Sequence, residues 1–323
     1  MIESGSLTPG VHVDRFDVPD HTALRVEMPA PALRDLVSNY HVMDSERTHH
    51  DGRQQWLLPS WPALRFVLAP DPITLTIGSR RYDPIPEAAL YGTASKAMQM
   101  TTHGGVTVGV DLTPLGWARL MNRRADLYRD RIVPLETVLP AAWVARTLQR
   151  LRDSDQGSEV KAILDDMLLA IVAPATPDDA AIVAVQRLIA DDATRDLSAA
   201  ATAVGMTPAA LRRLATRYFG FPPKTLLIRT RFLRSLVRMM HAGDDAGYGA
   251  IAPTYFDASH FLRDADRFLG TTPRRFLRQD HRYLSAVLKA TREVRRAARA
   301  ATERPASSRA GAAAPVQHLS NMG

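Results

Sequence analysis

The sequence predicts a mixed α+β protein whose two ends are built differently. Over residues 1–135, short alternating or apolar segments separated by Pro, Gly and Asp favour a small antiparallel β-barrel with flanking helices. In the last third, a pattern of 19 residues recurs 50 residues further along the chain, which favours an all-α domain with two helix-turn-helix motifs. An amphipathic segment between the copies predicts a long helix that joins them. A chain of 323 residues has room for both domains.

The predicted β-strands follow one another at intervals of about 8–15 residues, as in a barrel or sandwich. They cover residues 55–58, 64–68, 73–77, 88–91 and 106–110. Helical periodicity then replaces the strand pattern over residues 135–151 and 159–172, and the Pro- and Ala-rich residues 173–177 predict a linker.

These boundaries divide the chain into four regions. We predict an N-terminal domain over 1–135, a helical linker region over 136–177, a helix-turn-helix domain over 178–288, and a basic helix with a disordered tail over 289–323.

The repeated pattern spans residues 205–223 and 255–273. Each copy contains a turn, a basic helix, a Gly that ends this helix and a Pro that prevents its continuation. The identical residues are Arg213 and Arg263, Ala215 and Ala265, Arg217 and Arg267, Gly220 and Gly270, and Pro223 and Pro273. Two such motifs on one chain can place recognition helices in successive major grooves of a duplex, about 34 Å apart.

Between the copies, residues 225–241 predict the connecting helix. Its apolar face consists of Phe232, Leu233, Leu236, Val237 and Met240. Three arginines, Arg231, Arg234 and Arg238, fall on the other side. They form either a solvated helix face or a set of phosphate contacts.

Charge is distributed unevenly along the chain. From Asp178 to the end there are 23 Lys and Arg against 13 Asp and Glu, whereas the remainder is slightly acidic. A basic domain joined to an acidic one indicates that only the former meets a polyanion. The basic helix around residues 291–304 offers mostly Ala as its apolar component, so we expect no membrane partner. The N-terminus lacks a signal-peptide core, and we expect a cytoplasmic protein.

The C-terminal pattern resembles the DNA-binding domain of the AraC/XylS family of bacterial transcription regulators over residues 178–288. The matching segments are Gly205-Met206-Thr207, Leu211-x-Arg213, Phe219-Gly220-x-Pro222-Pro223-Lys224, Tyr255-Phe256-Asp257-x-Ser259-His260-Phe261-x-Arg263 and Arg267-Phe268-x-Gly270-x-Thr272-Pro273. The chain departs from the family at Ala215 and Ala265, where a large apolar residue is usual, and at Pro253 and Thr254. We therefore expect the second motif to engage its target more weakly than the first.

The resemblance implies that double-stranded DNA is the partner. Carried over position by position, it assigns the DNA-facing side chains to Ala209, Arg212, Arg213, Arg217, Ala258, Ser259, His260, Arg263 and Arg267. It also implies contact with RNA polymerase if the protein is an activator, and a homodimer formed through the helices of residues 136–177. Residues 1–135 resemble the cupin-like sensing domain of the same family in the order of their elements.

Catalytic patterns are absent from the sequence. There is no Cys and no cupin metal motif, so we predict no enzyme, no cofactor and no metal site. His49 and His50 lie in a polar run that we interpret as an exposed loop, with metal ligation as the alternative. The side chains suited to an effector pocket are Trp56, Trp61, Arg65, Arg81, Tyr91 and His103, although the two Trp could instead be core residues and His103 a turn residue.

The favoured interpretation is a DNA-binding transcription regulator that responds to a small-molecule effector. One alternative is a cupin-type enzyme with an appended DNA-binding domain, and another is an architectural DNA-binding protein without an effector. The sequence identifies neither the effector nor the target genes, nor whether regulation is positive or negative.

Overall fold

The computed structural model describes residues 1–191, 196–242, 255 and 258–303. It confirms the mixed α+β class, because antiparallel sheets form the N-terminal part and helices the C-terminal part. No helix in the described ranges is long and apolar enough to cross a membrane. The predicted disordered tail over 305–323 lies outside these ranges.

In the described part of the chain, ten strands form two antiparallel sheets. The strands are β1 Thr22–Glu27, β2 Val37–Ser45, β3 Arg53–Leu57, β4 Ala63–Val67, β5 Thr74–Ile77, β6 Arg80–Tyr82, β7 Ala88–Tyr91, β8 Met98–Thr102, β9 Gly105–Leu112 and β10 Ile132–Pro134. The first sheet has the order β1-β2-β9-β4-β7-β10, and the second has the order β3-β8-β5-β6. All neighbouring strands are antiparallel, as predicted.

An apolar cluster joins the two sheets. Side chains alternate between the faces of a strand, so one face of β4 and β7 presents Val67, Ala89 and Tyr91. Leu75 of β5 and Met98 of β8, from the second sheet, belong to the same cluster. The N-terminal domain is therefore held together by contacts between its sheets.

The other face of the six-stranded sheet packs against helices. Tyr40 and Val110, which are register partners on β2 and β9, belong to the same buried cluster as Trp143 of α3 and Leu164 of α4. The Tyr40 hydroxyl also donates a hydrogen bond of 2.8 Å to Asp165, which fixes α4 on this sheet. The helices of the predicted linker region thus complete the N-terminal core.

Eleven α-helices lie in the described ranges. They are α1 Arg47–His50, α2 Pro114–Gly116, α3 Ala141–Arg152, α4 Val160–Leu169, α5 Asp179–Ala190, α6 Leu197–Ala203, α7 Pro208–Phe219, α8 Pro223–Ala242, α9 Ala258–Leu269, α10 Pro273–Leu277 and α11 Arg282–Glu303. α6 and α7 form the first motif, α8 is the connecting helix, and α9 is the recognition helix of the second motif.

The last helix, α11, packs against the N-terminal domain. Ala286, Ala290 and Val294 recur at a spacing of four residues and are buried against Leu24 and Val26 of β1. Ion pairs join Lys289 to Asp17 and Arg15 to Glu293 at the edge of this contact. The helix is continuous across residues 288 and 289, where the sequence predicts a change of region.

Candidate nucleic-acid interface

The first motif has defined beginnings and ends. Asp196 caps α6 by accepting hydrogen bonds from the amides of Ser198 (3.2 Å) and Ala199 (3.0 Å). Thr207 caps α7, accepting from the amide of Ala210 at 3.2 Å. The helix stops at Gly220, whose φ of 83° lies in the left-handed region that glycine adopts without strain.

The two faces of α7 have different roles. Leu211, Ala215, Tyr218 and Phe219 are buried, and the Tyr218 hydroxyl donates to Asp178 at 2.6 Å. Burial and the neighbouring carboxylate raise the pKa of Tyr218 to about 12, so the hydroxyl keeps its proton. The four predicted DNA-facing side chains of this motif are exposed: Ala209, Arg212, Arg213 and Arg217.

The second recognition helix, α9, repeats this division. Phe261, Ala265 and Phe268 are fully buried. Ser259, His260, Arg263 and Arg267 are exposed. The helix ends before Gly270, which has a φ of 68°, and Thr272 then caps α10 by accepting from the amide of Arg275 at 3.3 Å. The side chain of Ala258 and residues 243–254, including Pro253 and Thr254, lie outside the described part of the chain.

Aromatic rings surround the buried face of α9. Phe232 of α8 lies with its ring centroid 5.3 Å from that of Phe261 and 5.4 Å from that of Phe268. Tyr255 contacts Phe261 edge to face at 5.3 Å, and its hydroxyl donates to Asp264 at 2.8 Å. Ala265, where the resemblance leads us to expect a large side chain, belongs to the same buried cluster as these rings.

The connecting helix α8 is longer than predicted and buries a somewhat different face. Phe232 and Leu236 are buried as expected, but Met239 rather than Met240 completes the stripe. Arg229 also lies on this face and is 2 % exposed. The sequence predicts either solvent exposure or phosphate contact for Arg231. In the structure its guanidinium instead lies 4.4 Å above the Tyr255 ring and pairs with Asp264.

A cleft of about 460 Å³ lies between the two motifs. Its cationic lining consists of Arg212 from α7, Lys224 from α8 and Arg267 from α9. The Arg267 guanidinium donates to the Thr225 hydroxyl at 3.4 Å, which links α9 to the start of α8. Lys224 belongs to the matching Pro222-Pro223-Lys224 segment but was absent from the predicted DNA-facing set.

Trp61 anchors the first motif to the N-terminal domain. Its ring meets Phe219 edge to face at 5.8 Å, and the Arg229 guanidinium lies 4.4 Å above it. Arg229 donates to the carbonyl groups of Ala94 (2.7 Å) and Ser60 (3.2 Å). Desolvation lowers the pKa of Arg229 to about 10, which leaves the side chain charged at neutral pH.

Trp56 makes the corresponding contact with the second motif. Its ring meets Phe276 of α10 edge to face at 5.6 Å. The Ala97 amide donates to the Phe268 carbonyl at 2.7 Å, and Arg53 pairs with Asp280. Trp56 and Trp61, predicted as pocket or core residues, therefore lie at the contact between sheets and helices.

Of the other predicted effector residues, the structure brings only Arg65 and Tyr91 together. The Arg65 guanidinium lies 5.7 Å from the Tyr91 ring centroid and pairs with Asp111 at 2.9 Å. Arg81 is exposed and pairs with Asp83, whereas His103 pairs with Asp51 near a turn.

His41 joins the Arg65 cluster and was missed in the sequence. It faces Gly109 across β2 and β9, and its Nδ1 atom is buried without a hydrogen-bond partner among the described residues. Burial and the Arg65 charge lower the pKa of His41 to about 4, so the ring is neutral at pH 7. The alternation of Asn39 and His41 along β2 is the signal that could have revealed it.

Comparison with known proteins supports the helix-turn-helix assignment of the C-terminal helices. A helix-turn-helix domain family model matches residues 200–279. This part of the chain is an AraC-type helix-turn-helix domain. The resemblance stated from the sequence is thereby confirmed for these residues, and the chain carries the DNA-binding domain of a transcription regulator. No curated protein matches the chain.

Three solved structures show the range of similarity. ToxT from Vibrio cholerae O395 is 13 % identical, with 70 % of this chain and 93 % of that chain covered and a TM-score of 0.39. Wild-type ToxT from Vibrio cholerae strain SCE256, bound to an unsaturated fatty acid, is 12 % identical over 71 % and 91 %, with a TM-score of 0.39. The AraC-like transcriptional activator CuxR is 14 % identical over 66 % and 86 %, with a TM-score of 0.24.

Proposed function

We propose that this regulator binds a bipartite duplex site, with α7 in one major groove and α9 in the next. The observation that carries the proposal is the matched pair of recognition helices. Each has a fully buried apolar face, a left-handed Gly at its end and an exposed basic face. The connecting helix α8 packs against α9 through Phe232 and so holds the two helices at a fixed spacing.

Within this arrangement the exposed arginines divide into two roles. Arg212, Arg213 and Arg263 read bases, because Arg forms bidentate hydrogen bonds with guanine O6 and N7. Ala209, Ala258, Ser259 and His260 flank them, with Ala209 limited to methyl contact. Arg217, Arg267 and Lys224 neutralise phosphates, and the last two meet at the cleft between the motifs.

We place the effector site at the cluster of His41, Arg65, Tyr91 and Asp111. The Nδ1 atom of His41 lies 3.7 Å from Asp111 Oδ2 and has no hydrogen-bond partner among the described residues, so it can form a hydrogen bond with a ligand. α11 reaches the same cluster, since Arg295 donates to Asn39 at 3.4 Å and the Asn39 amide donates to Asp111 at 3.1 Å. A ligand bound there would alter the contact of α11 with the N-terminal domain. Because α11 follows the helix-turn-helix domain in the chain, the position of that domain would change as well.

The remaining regions take supporting roles. Residues 1–135 sense the effector, α3 and α4 of residues 136–177 supply the homodimer contact, and residues 178–288 bind DNA. Leu169 at the end of α4 is 46 % exposed, which suits a contact with a second copy. The protein acts on transcription together with RNA polymerase rather than as an enzyme, and its place of action is the cytoplasm.

The test begins with the duplex that the full chain selects from a random-sequence library. On that duplex, Arg213→Ala and Arg263→Ala should each weaken binding by about 1–3 kcal/mol and relax the preference at one position of the contacted box. Fluorescence anisotropy across single-base variants measures both effects.

Arg80→Ala, which removes an exposed arginine on β6, is the control and should leave affinity unchanged. If Arg213→Ala and Arg263→Ala bind every base variant as the unaltered protein does, the assignment of base-reading residues is wrong.

A further inference from the structure

Two imidazoles and one carboxylate meet on the surface of the N-terminal domain. His21 precedes β1, Glu46 follows β2 and His49 lies in α1. The Nδ1 atoms of His21 and His49 lie 2.7 Å and 3.3 Å from the same oxygen, Oε2 of Glu46. One ligand atom from each residue lies within 4.8 Å of the other two. Two chain segments, the turn before β1 and the start of α1, therefore converge on one point.

The backbone holds this cluster together. The Glu46 amide donates to the His21 carbonyl at 2.9 Å, which joins the end of β2 to the turn before β1. His21 itself has a φ of 57°, a left-handed conformation that a residue with a β-carbon rarely adopts. The imidazole rings of His21 and His49 are parallel, with centroids 3.5 Å apart. Both rings consequently present the same nitrogen to one carboxylate.

We propose that His21, Glu46 and His49 bind a divalent transition-metal ion such as Zn²⁺. In a tetrahedral zinc site with bonds of about 2.0–2.1 Å, neighbouring ligand atoms lie roughly 3.3 Å apart. The two distances to Glu46 Oε2 are close to this value, and the stacked rings must tilt so that both Nδ1 lone pairs point at one ion. The two imidazole ligands favour zinc, nickel and copper over magnesium or calcium.

The three side chains of the proposed site are accessible to solvent, so a bound ion could exchange. The side chains of His21, Glu46 and His49 are 45 %, 42 % and 47 % exposed, so water can fill the remaining coordination positions. Such a three-ligand site binds an ion without displacing any buried group. The deprotonated Glu46 also supplies the negative charge that two neutral imidazoles lack.

The site lies next to the anchor of α11. His50, adjacent to His49, is buried, and its Nε2 atom lies 3.1 Å from the His21 carbonyl oxygen. The Tyr283 hydroxyl of α11 contacts the His50 ring. The sequence groups His49 with His50, but the structure separates them into an exposed ligand and a buried helix anchor. An ion on His21 and His49 would rigidify the segment on which α11 is seated.

Isothermal titration of the tag-free full chain with ZnCl₂ and NiCl₂ tests the proposal. We expect one ion per chain, and at least about a tenfold loss of affinity in His21→Ala, His49→Ala and Glu46→Gln. Zinc should raise the melting temperature of the unaltered protein and not that of His49→Ala, because binding to the folded state alone stabilises it.

His103→Ala is the matched control, since His103 also pairs with a carboxylate, Asp51, without a third ligand. This variant should bind zinc like the unaltered protein. The proposal is overturned if the unaltered chain binds no ion at micromolar concentration, or if the His21 and His49 variants bind as it does. Far-UV circular dichroism verifies that each variant is folded, so neither result depends on the DNA-binding proposal.

Discussion

The two helix-turn-helix motifs carry the same sequence pattern but are supported by different surroundings. The buried face of α7 belongs to the same apolar cluster as the six-stranded sheet and Trp117. The buried face of α9 belongs to a separate cluster, in which Phe232, Phe261 and Phe268 pack ring against ring. The repeat thus determines where each helix ends, whereas neighbouring elements determine what its inner face contacts.

Ala215 and Ala265 illustrate this difference. Both are fully buried, and both replace a larger residue that the family usually has. From the sequence we expected this replacement to weaken the second motif. In the structure, Phe232 of α8 and Tyr255 both contact Phe261 of α9, in the same apolar cluster as Ala265. Whether the second motif engages DNA more weakly stays a prediction.

The largest expected effect comes from moving one DNA box relative to the other. Inserting about five base pairs between the boxes rotates one of them to the opposite face of the duplex. Because α8 fixes the helices, only one motif could then bind, and affinity should fall by about 10²–10⁴-fold. Electrophoretic mobility shifts measure the loss. Inserting a full turn of about ten base pairs is a control for length, and equal affinity for the original and half-turn sites would show that the motifs act independently.

The packing difference can be tested at Phe232. Phe232→Ala removes the ring that contacts both Phe261 and Phe268, and should lower the free energy of unfolding by about 3–5 kcal/mol. The damage should concentrate on the second motif, so protection of its box in a DNase footprint should be lost before that of the first. Val237→Ala, a half-buried position on the same helix, is the control. Equal loss of both footprints would mean that the motifs share one core.

Substitutions at the contacts that join each motif to the N-terminal domain should have smaller effects on stability. Arg229→Met leaves the Ala94 and Ser60 carbonyl groups without their buried donor and should cost about 1–3 kcal/mol. Asp280→Asn weakens the half-exposed pair with Arg53 and should cost less than about 1 kcal/mol. Urea unfolding measures both. We thus expect the contacts of Arg229 to contribute more to stability than the Arg53–Asp280 pair. A larger loss of unfolding free energy for Asp280→Asn would contradict this.

The features predicted from sequence are those set by local rules. β3, β4, β5, β7 and β9 each overlap a predicted strand, because their apolar residues recur locally. β1, β2, β6, β8 and β10 were not predicted. In β2 and β8, polar residues such as His41, Asp44 and Gln99 interrupt the alternation. The exposed faces of α7 and α9 were assigned from the resemblance to the AraC/XylS family, whereas the ends of both helices followed from the Gly and Pro residues after them.

The contacts between distant segments could not be predicted in this way. His41 meets Arg65 and Asp111 only because β2 and β4 both pair with β9 in a particular register. Trp56 and Trp61 suited a pocket by residue type, yet their partners, Phe276 and Phe219, are more than 150 residues away in the chain. No local pattern in the sequence specifies such pairs.

Because α11 packs on β1, the helix-turn-helix domain is attached to the N-terminal domain at both of its ends. One end follows the linker at residues 173–177, and the other continues through α10 into a helix that packs on Leu24 and Val26. A domain held at one end can swing on a single hinge, but this one turns only if α11 first detaches. The free energy with which α11 packs on β1 is therefore a threshold for reorienting the recognition helices. A signal would reorient them only if it favoured the detached state of α11 by more than that free energy.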